Sequence, residues 1–224
     1  HIAFGLVACI SVQAQDIHFS QYYMTPLFAN PAFTGNFDGT YRLNGVVRRQ
    51  WASISSEPFQ TFGGGIDMNA PFKLTGTGLG IHISQDQSGL SALSTFQANV
   101  SGAASVKFTS DKSWKIGLGA SYDYESQNVN YSQLKFDQQF NGKFYDPNLP
   151  IGETSGINSY SWTHLSAGGY LSKRFSNRTN FTLGYSIYNL MEQDQGGTSF
   201  YSNYYRHTIQ ALTSFEVTDW LDLT

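Results

Sequence analysis

The side chains able to do chemistry in this chain are few and scattered. Histidine stands at His18, His82, His164 and His207, besides the first residue, and the single cysteine is Cys9. No H-x-H or H-E-x-x-H spacing joins the histidines, so the pattern suggests no metal site. His82 and His164 read instead as hydrogen-bonded side chains on interior faces. His164 shares a face with Ser166, the pairing an activated serine would need, but that face is the polar one, expected to point inward. Asp137, Asp146 and Glu153 lack the D-x-D-x-D spacing of a calcium loop. Gly63-Gly64-Gly65 lies inside a strand pattern and suggests a bend or bulge rather than a phosphate cradle. The sequence therefore assigns no catalytic residue, no cofactor and no metal, and the protein is expected not to be an enzyme.

The elements that carry these residues are legible in the composition. Of 224 residues only 13% are charged, about half the ~25% usual in soluble proteins. Aromatic residues make up 16%, with 14 Tyr and 17 Phe. Such a chain is not disordered. Lys and Arg total 13 against 16 Asp and Glu, a net charge of -3, so a nucleic-acid partner is not expected. No apolar run is long enough for a transmembrane helix. Few charges, many Tyr and Gly, and moderate hydrophobicity suit β-structure.

Alternation is the dominant signal. Phe96, Ala98, Val100, Gly102, Ala104, Val106 and Phe108 share one face, opposite Gln97, Asn99, Ser101, Ser105 and Lys107. Trp114, Ile116, Leu118, Ala120, Tyr122 and Tyr124 alternate in the same way with Lys115, Gly117, Gly119, Ser121, Asp123 and Glu125. Each reads as a strand with one apolar face and one polar or small face. Similar patterns lie over 79–84, 164–171, 181–188 and 208–217, where Leu212 interrupts the polar face. Weaker ones lie over 41–51 and 60–70. This makes about eight strands, then the opening of another at the end of the chain.

Short turns at 109–112, 176–177 and 218–219 alternate with long segments at 126–161 and 191–204. That asymmetry, with strands long enough to cross a bilayer, predicts an antiparallel transmembrane β-barrel of the bacterial outer membrane, truncated at its C-terminus. A soluble sandwich would carry more charge on its polar faces. Trp51, Phe108, Trp114, Tyr122, Tyr124, Trp162, Phe175 and Trp220 fall near strand ends and are expected in interfacial girdles that meet outer-membrane lipid.

Residues 1–14 read as the remnant of a signal peptide, with Val12-Gln13-Ala14 as its cleavage site. Leu6-Val7-Ala8-Cys9 also fits a lipid-attachment motif. Residues 15–39 form an N-terminal periplasmic or plug segment, and 40–224 the incomplete barrel.

The N-terminal segment carries a more specific signal. It contains Gln15-Asp16-Ile17-His18-Phe19-Ser20-Gln21-Tyr22 and Asn30-Pro31-Ala32-Phe33-Thr34-Gly35, followed by Arg48-Arg49-Gln50-Trp51. Asp86-Gln87-Ser88-Gly89 and Leu183-Gly184-Tyr185-Ser186-Ile187-Tyr188-Asn189-Leu190 come later. This set resembles the PorP/SprF family of Bacteroidetes outer-membrane proteins, over Gln15 to about Leu190 or beyond. The resemblance implies a role in type IX secretion and gliding motility. Its partners would be ring components of the secretion system or a secreted surface adhesin.

Physical reasoning adds site candidates. Asn30 precedes a proline and should be extended, and Gly35 allows a left-handed turn into the first strand. Phe19, Tyr22, Asn30, Pro31 and Gly35 are candidates for docking a periplasmic partner, unless the segment is a purely structural plug. Arg48, Arg49 and Trp51 are candidates for the rim or lumen: Arg48 inward and paired with Asp67 or Glu57, Arg49 at the interface. Tyr131, Phe136, Phe140, Phe144 and Tyr145 are candidates for extracellular contacts, with Tyr160, Tyr201, Tyr204 and Tyr205 nearby. The rival function is a passive channel or transporter for small solutes, suggested by the Gly/Ser/Thr-rich inner face.

Overall fold

A computed structural model describes residues 25–53, 58–88, 93–108, 113–129, 136–140, 142–150, 159–176, 179–191, 205–218 and 221–223. Among these residues nine strands follow one another around a single curled sheet: β1 (Tyr41–Gln50), β2 (Phe59–Asn69), β3 (Thr77–Ser88), β4 (Leu93–Lys107), β5 (Trp114–Val129), β6 (Ser159–Ser176), β7 (Thr179–Tyr188), β8 (Arg206–Thr218) and β9 (Leu221–Leu223). Each pairs antiparallel with the next, in the order of the chain. This up-and-down order is what short turns between successive amphipathic strands produce.

The strands are longer than the alternating runs alone suggest. β5 continues to Val129 and β6 begins at Ser159, through Gln127↔Tyr160 and Asn128↔Ser159 pairs. Polar residues occupy both faces there, so side-chain alternation fades while backbone pairing continues. The intervening segment is correspondingly shorter than expected.

The amphipathicity is inverted relative to a soluble sheet. Leu43, Val100, Leu118 and Ile209 are exposed, at 82%, 56%, 67% and 76%. The positions that alternate with them, including His82, Ser101, Ser121, Asp123, His164 and Ser166, are buried. Outward side chains are apolar, and inward ones polar or small.

Two expectations need correction. Gly63, Gly64 and Gly65 form no bulge: they pair in unbroken register with Val46, Gly45 and Asn44. The register shifts lie between Arg174 and Ser176 and between Glu216 and Thr218. Trp162 is not on an outer girdle. It shares the face of His164 and is buried, because one step along a strand reverses the face.

The small apolar core sits on the concave side and is built largely by the N-terminal segment. A one-turn helix α1 (Pro26–Ala29) and a 3-10 turn (Pro31–Phe33) lie against the inner face. Ala32 and Phe33 form a cluster with Tyr170, and Leu212 packs against it. Leu212, the apolar interruption on β8's polar face, thus has a partner.

Candidate functional site

The interior of the sheet is organised around the N-terminal segment, and backbone geometry starts it. Asn30 is extended, at φ -162°, as a residue before proline prefers. Its Oδ1 accepts from the Ala32 N–H at 2.9 Å and so caps the 3-10 turn. Its Nδ2 is then turned towards the wall, donating to Gly169 O at 3.2 Å, Tyr185 O at 3.3 Å and Gln210 Oε1 at 3.1 Å. One amide therefore joins β6, β7 and β8.

Neighbouring carbonyls complete this side. Ala29 O accepts from Ser186 Oγ at 3.1 Å and Gln210 Nε2 at 2.8 Å, and Phe28 O accepts from the Tyr188 hydroxyl at 2.8 Å.

The opposite side of the segment is tied to the first strands. Thr34 Oγ1 lies 2.8 Å from Ser101 Oγ. Gly35, in a left-handed turn at φ +69°, donates its N–H to Asp67 Oδ2 at 2.8 Å. Arg42 grips the same carboxylate through Nε at 3.0 Å and Nη2 at 2.7 Å, and also donates to Phe33 O at 3.1 Å. Lys115 Nζ donates to Asn36 Oδ1 at 2.6 Å.

The wall makes room with glycine. A β-carbon at Gly119 would stand 2.6 Å from Ala32 Cα and Pro31 O, and one at Gly168 would run into the Asn30 side chain. At Gly80 it would meet Leu27 and Thr34, and at Gly184 it would meet Asn30 and Phe33. Gly65 sits beneath Leu27, which gives the glycine run a reason other than a bulge. Glycine inside a strand marks close approach by another backbone. Gly117 serves a different purpose: the Tyr170 ring from the paired position on β6 lies over it.

Beside the segment, register aligns a polar row. Asn44, Gly65, His82, Asn99, Asp123 and His164 are successive cross-strand neighbours from β1 to β6. Phe28 packs on His82 with ring centroids 5.8 Å apart. Asp123 is held by Ser166 Oγ at 2.7 Å and Ser121 Oγ at 3.0 Å, and His164 Nε2 lies 3.8 Å from it. Serine, histidine and aspartate are thus close, but the Ser166 hydroxyl is directed to the carboxylate. A nucleophile's hydroxyl must be bonded to the imidazole that takes its proton, so this wiring orients Asp123 and does not activate Ser166. Among the described residues no group of three or more His, Cys, Asp or Glu side chains converges as metal ligands.

The other candidates fall as follows. Asn30 and Pro31 are buried against the sheet and Gly35 is half-buried. Phe19, Tyr22, Glu57 and Tyr131 lie outside the described residues, as do Glu153, Tyr201, Tyr204, Trp220 and the signal remnant. Arg48 is inward and half-buried, and Arg49 outward and exposed. The expected Arg48–Asp67 pair is corrected: Asp67 pairs with Arg42, because the register sets Arg42 opposite Asp67 and Arg48 opposite Thr61. Trp51 is exposed and meets Phe59 edge-on at 5.2 Å. Phe140 and Tyr145 face each other across an isolated bridge, with rings 5.9 Å apart. Phe144 is exposed, and the Phe136 N–H donates to Gln139 Oε1 at 3.1 Å.

Sequence reasoning missed Gln210, Ser186, Tyr188 and Lys115 as anchors of the N-terminal segment. The available signal was the set of glycines on otherwise polar inner faces, each marking where that segment would lie.

A protein-family model described as type IX secretion system membrane protein PorP/SprF matches residues 11–221. No curated protein and no solved structure matches the chain.

Proposed function

The chain belongs to the PorP/SprF family of type IX secretion system membrane proteins, and on that premise we propose that it is a non-enzymatic β-barrel component of the outer membrane that assists export or surface display of secreted proteins, including those used in gliding motility. The observation that carries the membrane part of this reading is the inverted amphipathicity of the sheet. On β5 the outward positions from Trp114 to Tyr124 cover a length of strand of about 33 Å, or roughly 25 Å of height at ordinary barrel tilt. That is the height of the apolar band on a membrane barrel. Burying this wall in water-facing protein would need a second layer, whereas lipid covers it directly.

The secretion part rests on the family. In this reading the loop end of the barrel, with Phe136, Phe140, Phe144 and Tyr145, faces the cell exterior and contacts a secreted adhesin. The N-terminal segment engages a periplasmic ring component through Phe19, Tyr22, Asn30, Pro31 and Gly35. Asn30 and Pro31 are buried against the sheet, so engagement through them requires the segment to leave it. The test is deletion of the gene in its native cell, with quantification of secreted proteins in the medium and of adhesin on the surface. Loss of both, restored by the wild-type gene, is expected. Unchanged secretion and display would overturn the role.

A passive channel for small solutes is the second reading, favoured by the polar inner face. It predicts conductance in planar bilayers for the intact protein. Conductance that appears only after removal of residues 15–39 would instead assign the segment a plugging role.

A further inference from the structure

Beside the turn between β2 and β3, the outward wall is hollowed into an apolar groove of about 660 Å³. Gly102, Ala104 and Ala120 line it together with Leu79, Leu118 and Phe72. The sequence explains the hollow. Leu79, Gly102 and Ala120 form one cross-strand row, and Thr77, Ala104 and Leu118 the next. One row further, the same wall carries Ile81, Val100 and Tyr122. At the groove three wall side chains, Gly102, Ala104 and Ala120, shrink to a hydrogen or a methyl.

The turn beside it is unusual in its own right. Ala70, Phe72 and Lys73 all have left-handed backbones, at φ +53°, +54° and +64°, where residues bearing a β-carbon are disfavoured. Phe72 is 86% exposed in this turn, and the basic Lys73 follows it. Among the residues whose side chains are described, the outward strand positions carry no carboxylate, and their cations are Lys173 towards the groove's end of the sheet and Arg49 at the opposite end. Lys173 sits over the rings of Trp114 and Phe175 at 4.8 and 5.0 Å. An apolar groove whose nearby outward charge is basic is complementary to one molecule type: an apolar chain with an anionic head.

We propose that the groove holds one acyl chain of an anionic phospholipid, with its phosphate beside Lys73 and its chain covered by Phe72. The inference rests on the membrane reading above. Hydrophobic transfer does not drive such binding, because the rest of the wall already faces lipid. Close packing in the hollow and the cation at the rim do.

The test is native mass spectrometry of the full-length protein in mild detergent, with phosphatidylglycerol, diacylglycerol of the same tails, or inorganic phosphate added separately. One retained phosphatidylglycerol is expected. Lys73→Gln should lower the preference for it over diacylglycerol roughly fivefold. Ala104→Phe combined with Ala120→Phe should abolish retention. Should that pair fail to fold, Phe72→Ala, exposed and off the sheet, must lower retention. Retention undiminished by these changes, no retained lipid, or equal competition by inorganic phosphate would overturn the proposal. Failure of the protein to enter liposomes would sink the membrane reading itself. Insertion without a retained lipid would sink only the groove.

Discussion

Asn30 and Gln210 lie 180 positions apart in the chain, and their side chains meet at 3.1 Å inside the sheet. With Thr34 on Ser101 and Gly35 on Asp67, this contact makes the N-terminal segment a tie across the concave face, from β2–β4 to β6–β8. The segment is an internal beam whose polar ends are matched to both walls.

Removing the centre of that tie is expected to loosen the whole segment. Asn30→Ala leaves the Gln210 amide and two carbonyls with fewer partners, at a cost of about 1–3 kcal/mol. Asn30→Asp should be worse, because it turns an acceptor towards the Gly169 and Tyr185 carbonyls. Limited proteolysis of the segment reads both effects. Equal resistance in all three proteins would contradict the tie.

Two kinds of glycine should respond oppositely to a methyl group. Gly119→Ala drives a β-carbon into Ala32 and Pro31, where backbone has no room to yield. A cost of about 1–3 kcal/mol is expected from overpacking. Gly45 faces outward and its nearest neighbour would be Gly63 O at 3.9 Å. Gly45→Ala should stay within about 0.5 kcal/mol of wild type. Urea titration of the refolded barrel distinguishes the pair, and similar midpoints would refute the close approach.

Arg42 and Asp67 form an ion pair on the inner face, with the carboxylate side chain fully buried and the guanidinium partly exposed. Breaking it from one side strands a buried charge. Arg42→Met alone should cost about 3–5 kcal/mol, and Asp67→Leu less, because the guanidinium it leaves behind is partly exposed. The double variant should recover most of the loss, although Gly35 N–H still lacks its acceptor. A double-mutant cycle by unfolding measures the coupling, and additivity would remove the pair from the account. Arg48→Met serves as the comparison and should not couple to Asp67→Leu.

On the proposed membrane reading, the cost of outward charge depends on depth. Leu118→Arg, within the apolar band, should cost about 2–4 kcal/mol of folding into bilayers, and Gln87→Arg, near the loop end of β3, about 0–1 kcal/mol. Folding yield into liposomes reports the difference. Equal yields would mean that lipid does not contact the wall at Leu118.

The local pattern carried most of the fold. Alternation from Phe96 to Phe108 and from Trp114 to Tyr124 marked strands and faces, since side-chain direction depends only on position along one strand. Spacing of the runs marked which connections were short, and those connections make the sheet antiparallel in chain order. Asn30-Pro31 and Gly35 likewise marked their own backbone shapes, because proline and glycine act on the residues beside them.

What alternation leaves open is partnership. Arg42 and Arg48 share one face, and both are plausible partners for Asp67 until the register sets Arg42 opposite it. Leu212 looks like an error on a polar face until Phe33 and Tyr170 arrive beside it. Gly80, Gly119, Gly168 and Gly184 look like weak points in strands until the N-terminal segment is laid against them. In each case the deciding contact joins residues far apart in the chain. Faces follow from the stereochemistry of one strand, but neighbours follow from packing, which only the folded sheet and its internal segment decide together.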